Sequence, residues 1–372
     1  RTGDVRSVSG YGNNVVDVNL DRTVTPFLAD GITPNPAFDP ALANGSAFNK
    51  FIRISDVNNY PGDGNLTAAN FPGVPSERLV SDVLMDQGAA NMPEGGSWNN
   101  FFMDIGQYVD HGLDFFSKGA NGSYVINDGT LTPNPNGTIS ATRANGGADG
   151  TYANTISNWI NQSQTYGSEA GVTFLLTESM RDASGALMRD VATGELLKTA
   201  KLLTGSGYMA ANTIGNVAGG EAVYFPTGYD ILVNNGVDQV ALNAYITANE
   251  ENSVLVQKWV DQVTAYSQWL NAGGPDIPPV IDGTFTEPIT PANFSRTQPT
   301  EVAAAIAALQ TGWAEIKLLP GYVDLNGTVP GTQQTLIGDM GFGAMVDPVN
   351  LMQHYVGGDL RTNENVLLTS IH

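Results

Sequence analysis

The residues of this chain best suited to chemistry stand together in Trp98–Lys118, WNNFFMDIGQYVDHGLDFFSK. Read at helical period, Gln107, Asp110, His111 and Asp114 fall on one side, and Phe102, Ile105, Val109, Gly112 and Phe116 on the other. An imidazole, an amide and two carboxylates within two turns can hold and move protons, and burying them without partners is costly. The spacing predicts a helix whose apolar face packs and whose polar face lines a cavity. On polarity alone, a solvated face with His111 merely hydrogen-bonded to its neighbours is an equal reading.

The elements that must position this helix are unevenly marked. From Arg1 to about Ser97, Gly-Asn, Pro-Asn and Pro-Gly-Asp-Gly interrupt every apolar run, which predicts an irregular arm with short helices, one of them over Ser81–Gln87. Asn121–Gly150 reads as loop, with a turn at Asn134-Pro135-Asn136-Gly137, and Tyr152–Tyr166 as a second helical or turn region. Leu187–Leu203 is expected to form a β-hairpin around Ala192-Thr193-Gly194. The clearest helices carry Leu255, Trp259, Val263, Tyr266 and Leu270, stopped by Gly273-Gly274-Pro275, and Val302, Ile306, Leu309 and Trp313, opened by Thr300 as N-cap and halted by Pro320. Gly273–Pro299 between them is Pro-rich and should lack regular structure. No internal repeat or low-complexity tract is apparent.

The chain has 372 residues, enough for a sizeable core in one large domain or two ordinary ones. Its 37 acidic and 16 basic residues give a formal charge of −21, which argues against nucleic acid or an anionic membrane as partner. No apolar run reaches the roughly 18 residues of a membrane span. The absence of cysteine excludes disulfides, thiolate metal sites and cysteine nucleophiles. The chain starts at Arg1 with no visible signal peptide, as expected of a processed or excerpted sequence.

The wording of the central stretch narrows these readings. GQYVDHGLD resembles the distal-helix motif of the animal-type haem peroxidases, the family of myeloperoxidase, lactoperoxidase and peroxidasin, and above all its bacterial secreted members. Four further segments are similar to family motifs in the same order: Gly12-Asn13-Asn14 to GxGNN, Pro75–Ser81 to LPSxRxVS, Asn158–Ser168 to the segment ending S-x-x-YGS, and Gly358–Glu364 to GDxRxNE. The resemblance implies a mainly α-helical peroxidase-like domain with long irregular loops and little β structure. Because the family's YGS and GDxRxNE segments lie much closer together, residues of about 172–352 look like an insertion.

The implied function is reduction of hydrogen peroxide with oxidation of small organic donors or halide, on haem b, in a secreted or extracellular protein. By the resemblance His111 is the distal acid/base, Arg361 the charge-stabilising cation, and Gln107 the amide that orders water or halide; Asp110 and Glu364 occupy the positions whose carboxylates can form ester links to haem. For Glu364 the ordinary alternative is an i,i+3 pairing with Arg361. Calcium is where the chain departs from the pattern: Gly112 and Asn161 stand where the family has aspartates, so Ser157, Trp159, Asn161 and Ser163, with Asp114, make at best a degenerate site. The family's proximal histidine lies downstream of GDxRxNE, while this sequence ends at His372 in a TSxH run that matches another family position. The expectation is therefore the N-terminal part of a peroxidase domain, completed by a C-terminal remainder, with a fragment alone binding haem weakly.

Gly205–Ala210 matches GxGxxA but lacks a βα context, and three distant histidines without HExxH spacing make a zinc hydrolase improbable. The competing reading from another class is a non-catalytic extracellular adhesion or scaffold module on a peroxidase fold.

Overall fold

A computed structural model gives the structure of residues 7, 9–13, 21, 24, 28, 33–50, 83–84, 100–116, 118–127, 138–144, 153–160, 162–205, 225–271, 299–330, 332, 334–338, 342–364 and 366–372. Among them helix dominates, and strands form two two-stranded antiparallel ladders. Among the described residues no helix is long and apolar enough to cross a membrane. The LPSxRxVS-like segment lies outside the described residues; of the helix expected over Ser81–Gln87, Val83 and Leu84 are described, helical and exposed. The chain divides into two compact units, 1–26 with 35–161, and 27–34 with 162–372.

The first unit holds α1 (Asn100–His111) and the ladder of β1 (Lys118–Asn127) with β2 (Thr138–Ala144). This hairpin stands where loop was expected. Asn, Gly and Ser in β1 are poor strand formers, but Tyr124-Val125-Ile126 pairs with Ala141, Ser140 and Ile139 across the ladder, and pairing overrides propensity. The GxGNN-like segment is tied to two others. Gly12 donates to the Leu42 carbonyl (2.9 Å), the Ala47 amide to that of Ser9 (2.8 Å), and Asn158 to that of Gly45 (3.3 Å). The Tyr11 ring lies 5.0 Å from that of Phe38, and its hydroxyl accepts from the Asp39 amide.

The second unit is built on α2 (Ser163–Tyr166), α3 (Ala170–Leu175), β3 (Thr177–Ser179), β4 (Lys198–Leu202), α4 (Gly228–Asn235), α5 (Gln239–Asn271), α6 (Thr300–Ile316), α7 (Phe342–Val346), α8 (Pro348–Gln353) and α9 (Val366–Ile371). Its core includes Ile231, Leu232, Leu242, Val256, Leu309 and Leu325, all fully buried. The segment set apart in the sequence thus supplies the hydrophobic centre of this unit. Helix α5 begins at Gln239, well before the apolar stripe at Leu255. Its first half buries Leu242, Tyr245, Asn249 and Ser253, and the two polar members of that face hide its period. Ser253 is accommodated by donating to the Asp347 carboxylate (2.5 Å), which also caps α8. Helix α6 buries Val302, Ala305, Leu309, Trp313 and Ile316, while Ile306 is only half-buried. Pro299 takes the N-cap position there, and Thr300 is the first helical residue. The Trp313 ring packs 5.6 Å from Tyr245, whose hydroxyl donates to the Leu309 carbonyl.

The hairpin expected around Ala192-Thr193-Gly194 exists, but β4 pairs with β3 rather than closing it. Three arms meet at Met180, Met188 and Leu197, which exchange backbone bonds in a ring: Met180 donates to Leu197, Leu197 to Met188 and Met188 to Met180, at 2.8, 3.0 and 2.9 Å. Two arms are copies of one phrase, Met-Arg-Asp, then one or two residues, then a hydroxyl residue, Gly, one residue and Leu, so the chain does hold an internal repeat. In each copy the aspartate carboxylate accepts from the turn, Asp182 from Ser184 and Ala186, Asp190 from Ala192 and Thr193. Each arginine donates to the glycine carbonyl, Arg181 to Gly185 and Arg189 to Gly194. Eight and nine residues are too short a pair for repetition to stand out.

Candidate active site

Helix α1 is amphipathic as expected, but it faces the other way. Asp104 and His111 are buried at 4% and 3% exposure, Gln107 and Tyr108 half-buried, whereas Phe102, Met103, Ile105 and Val109 are exposed. Positions 104, 107, 108 and 111 form one stripe at i, i+3, i+4 and i+7, so the covered side is the polar one. Ordinary packing would give the opposite result, because the apolar side loses the burial energy that normally orients a helix. Asp110 is exposed and Asp114 half-buried, so the four polar residues placed on one reactive side are split. Asp104 was missed because a single carboxylate among apolar residues reads as solvated. Its Oδ2 is buried with no hydrogen bond among the described residues.

The end of α1 is fixed by Asn154. Its Oδ1 accepts from the Phe115 amide (2.9 Å) and its Nδ2 donates to the Leu113 carbonyl (2.7 Å). Thr155 adds its amide (2.8 Å) and hydroxyl (2.9 Å) to the Phe115 carbonyl. An amide can satisfy a donor and an acceptor at once, which explains an asparagine here. The HGLD turn that carries His111 is therefore held by a segment about 40 residues later.

In the second unit, the YGS-like and GDxRxNE-like segments pack directly together. The Asp359 amide donates to the Gln164 carbonyl (3.1 Å), and a Cβ on Gly358 would run into the backbone of Gly167 and Ser163. Arg361 lies in this turn with its side chain 11% exposed, forked onto Asp359: Nε donates to Oδ1 (2.9 Å) and Nη2 to Oδ2 (2.8 Å). Glu364 is exposed, its amide donating to the Arg361 carbonyl. His372 is buried beside this pair. Burial pushes its imidazole below the ordinary histidine value, opposed by Asp359 and the Gln164 carbonyl and assisted by Arg361. Asp359 was legible only as the D of the motif, with no role assigned, and the approach of His372 had no signal at all.

The calcium set does not form a carboxylate-rich shell. Ser157 donates to the Gly45 carbonyl (3.2 Å) and accepts from the Trp159 amide (3.3 Å), Asn161 lies outside the described residues, and Ser163 belongs to the second unit. Among the described residues no group of three or more His, Asp or Glu could hold a metal ion. An imidazole and an amide sit one turn apart on the covered side of α1, and the carboxylates at the ester-link positions, Asp110 and Glu364, are exposed. His354, at the C-cap of α8, holds its Nδ1 at 2.9 Å from the Asn350 carbonyl. Apart from Gly205, the GxGxxA-like run is outside the described residues.

One other pair has the look of a nucleophile and its base. Lys198 Nζ donates to Ser179 Oγ (2.9 Å) and to the Thr177 carbonyl, 4.3 Å from the Phe174 ring centroid, and burial pushes its amine down to about 8. Ser179, however, is buried and donates its hydroxyl to the Asn234 carbonyl (2.7 Å) and its amide to the Asn234 side chain, so the pair joins β3 and β4 to α4. No protein-family model matches this chain, and no curated protein does.

Proposed function

We propose that this chain carries the peroxide-handling residues of a haem peroxidase of the animal type. What supports the reading is the inverted burial of α1: a helix that covers Gln107 and His111 while exposing Phe102 and Met103 keeps its polar stripe for something other than packing. His111 takes a proton from one oxygen of hydrogen peroxide and returns it to the other. Gln107, one turn away, orders water or halide beside it. Arg361 supplies fixed positive charge, since its guanidinium stays protonated while an imidazole cycles. Haem, when bound, supplies the iron at which peroxide is reduced. In the balanced reaction hydrogen peroxide takes two electrons and two protons and leaves as two waters, the electrons coming from small organic donors or halide. The setting that accompanies this reading is extracellular.

The experiment is a haem titration of the chain followed by peroxide-dependent oxidation of a chromogenic donor. His111→Ala should lower turnover by about 10²- to 10⁴-fold with haem affinity retained. Unchanged turnover in that variant removes His111 from the chemistry. Failure to take up haem both in the chain and in a longer protein that includes the expected C-terminal remainder supports the non-catalytic scaffold reading instead.

A further inference from the structure

We infer that Asp359 is the positioning residue for Arg361, fixing the plane and direction of the guanidinium before peroxide arrives; the catalytic half of this inference rests on the peroxidase reading. The geometry begins with the backbone. Gly357 and Gly358 are buried, and side chains on them would meet Thr362 and Gln164 at the first and the backbone of Ser163 and Gly167 at the second. That contact seats the Asp359 amide on the Gln164 carbonyl (3.1 Å). Thr362 closes the turn by donating its hydroxyl to the Asp359 carbonyl (2.7 Å). The carboxylate then receives the Arg361 amide (2.8 Å) and Nε (2.9 Å) on Oδ1 and Nη2 (2.8 Å) on Oδ2.

Three donors from one arginine onto one carboxylate set both the backbone and the side-chain angle of Arg361. A single hydrogen bond would leave the long side chain several rotamers. The pair is also 11% and 3% exposed, so water competes little for the fork. An Asp two residues before an Arg on a tight turn makes a preoriented cation, which is the form of charge stabilisation that costs no reorganisation during reaction. The hold of Asp359 on Arg361 needs no haem and can be read without it.

The test uses the full chain in two arms. In the haem-free protein, ¹⁵N NMR should show a slowly exchanging Arg361 Nε–H, and Asp359→Asn, which keeps the shape but gives up the charge and one arm of the fork, should speed its exchange at least tenfold. In the haem-loaded protein, D359N should slow the reaction with peroxide by about 10- to 100-fold, by analogy with the loss seen when a partner that orients a metal ligand is removed. The pH profile of that reaction should move with it. Unchanged Nε–H exchange in D359N overturns the inference whatever the activity. Faster exchange with an unaltered peroxide rate in an active wild type overturns the positioning role. A wild type without peroxide activity even when joined to the expected C-terminal remainder sinks the peroxidase reading and the catalytic half of this inference, while the exchange result stands on its own. Should D359N fail to fold, D359E, which keeps the charge but displaces the fork by a methylene, is expected to show the same two losses; wild-type behaviour in both refutes them.

Discussion

Replacing Asn154 by alanine tests how the turn after α1 is held. The side chain makes three bonds: from the Phe115 amide at 2.9 Å, to the Leu113 carbonyl at 2.7 Å and, more weakly, from the Ile156 amide at 3.3 Å. Alanine leaves Phe115 N–H and Leu113 C=O without that partner, and an orphaned buried group costs about 1–3 kcal/mol. Leu113 and Phe115 are half-buried, so water recovers part of each loss and the lower end applies, about 1 kcal/mol per group and about 2 kcal/mol together. About 2 kcal/mol corresponds to a roughly 30-fold change in a local opening equilibrium. Amide hydrogen exchange resolves this at Phe115, whose protection should fall by about that factor. Amides of α5 and α6, in the other unit, should be unaffected. Asn154→Asp is the control within the test: its carboxylate still accepts from Phe115 but faces the Leu113 carbonyl without a donor, so part of the Phe115 protection should survive. Wild-type exchange at Phe115 in Asn154→Ala would refute the clamp, and equal losses throughout α5 would show global rather than local opening.

His372 gives a pH dependence with a definite sign. Its folded value is below 6.5 because of burial, so the unfolded chain takes up its proton first and the stability it supports is lost as pH falls from about 6.5 through the folded value. His372→Gln should flatten the stability–pH curve in that window in urea titrations; identical slopes for both proteins would contradict this. Two glycines should behave oppositely. Gly358→Ala drives a methyl into the backbone of Gly167 and Ser163 and should cost about 3 kcal/mol or more, whereas Gly106→Ala, with open space around it on the exposed side of α1, should gain up to about 1 kcal/mol. Denaturant midpoints decide both, and a stable Gly358→Ala chain would mean that the turn can shift.

Helices α5 and α6 were legible where their buried faces are apolar, at Leu309 and Trp313, and illegible where Asn249 and Ser253 occupy the buried face. The period of a helix shows through hydropathy only while hydropathy and burial agree. On α1 they disagree outright: the periodicity located the helix and its two sides, but which side is covered depends on surroundings that no local pattern encodes. The strands of β1 and β2 failed for a related reason, since Asn and Gly report a turn tendency that a partner strand overrides. Residue types singled out His111 and Gln107 in one short phrase, and Arg361 was named only through the family resemblance. Asp359, His372 and Asn154 act through contacts made at a distance or by a backbone turn, and contact partners leave no mark in spacing.

The ring of backbone bonds at Met180, Met188 and Leu197 has a consequence for how this chain can change. Each arm begins and ends at the junction, so its outer loop can lengthen without moving the feet of the others. The chain already contains that difference, because the arm from Asp190 to Gly194 is one residue longer than the arm from Asp182 to Gly185 while both keep the same arginine-to-glycine brace. Insertions at Ala183 or Val191, both exposed, should therefore be absorbed one arm at a time. A deletion at Met188, by contrast, removes a partner from both of its neighbours at once. The junction behaves as a socket with interchangeable tips, a place where peptide tags or binding loops can be displayed while the fold beneath them keeps its register.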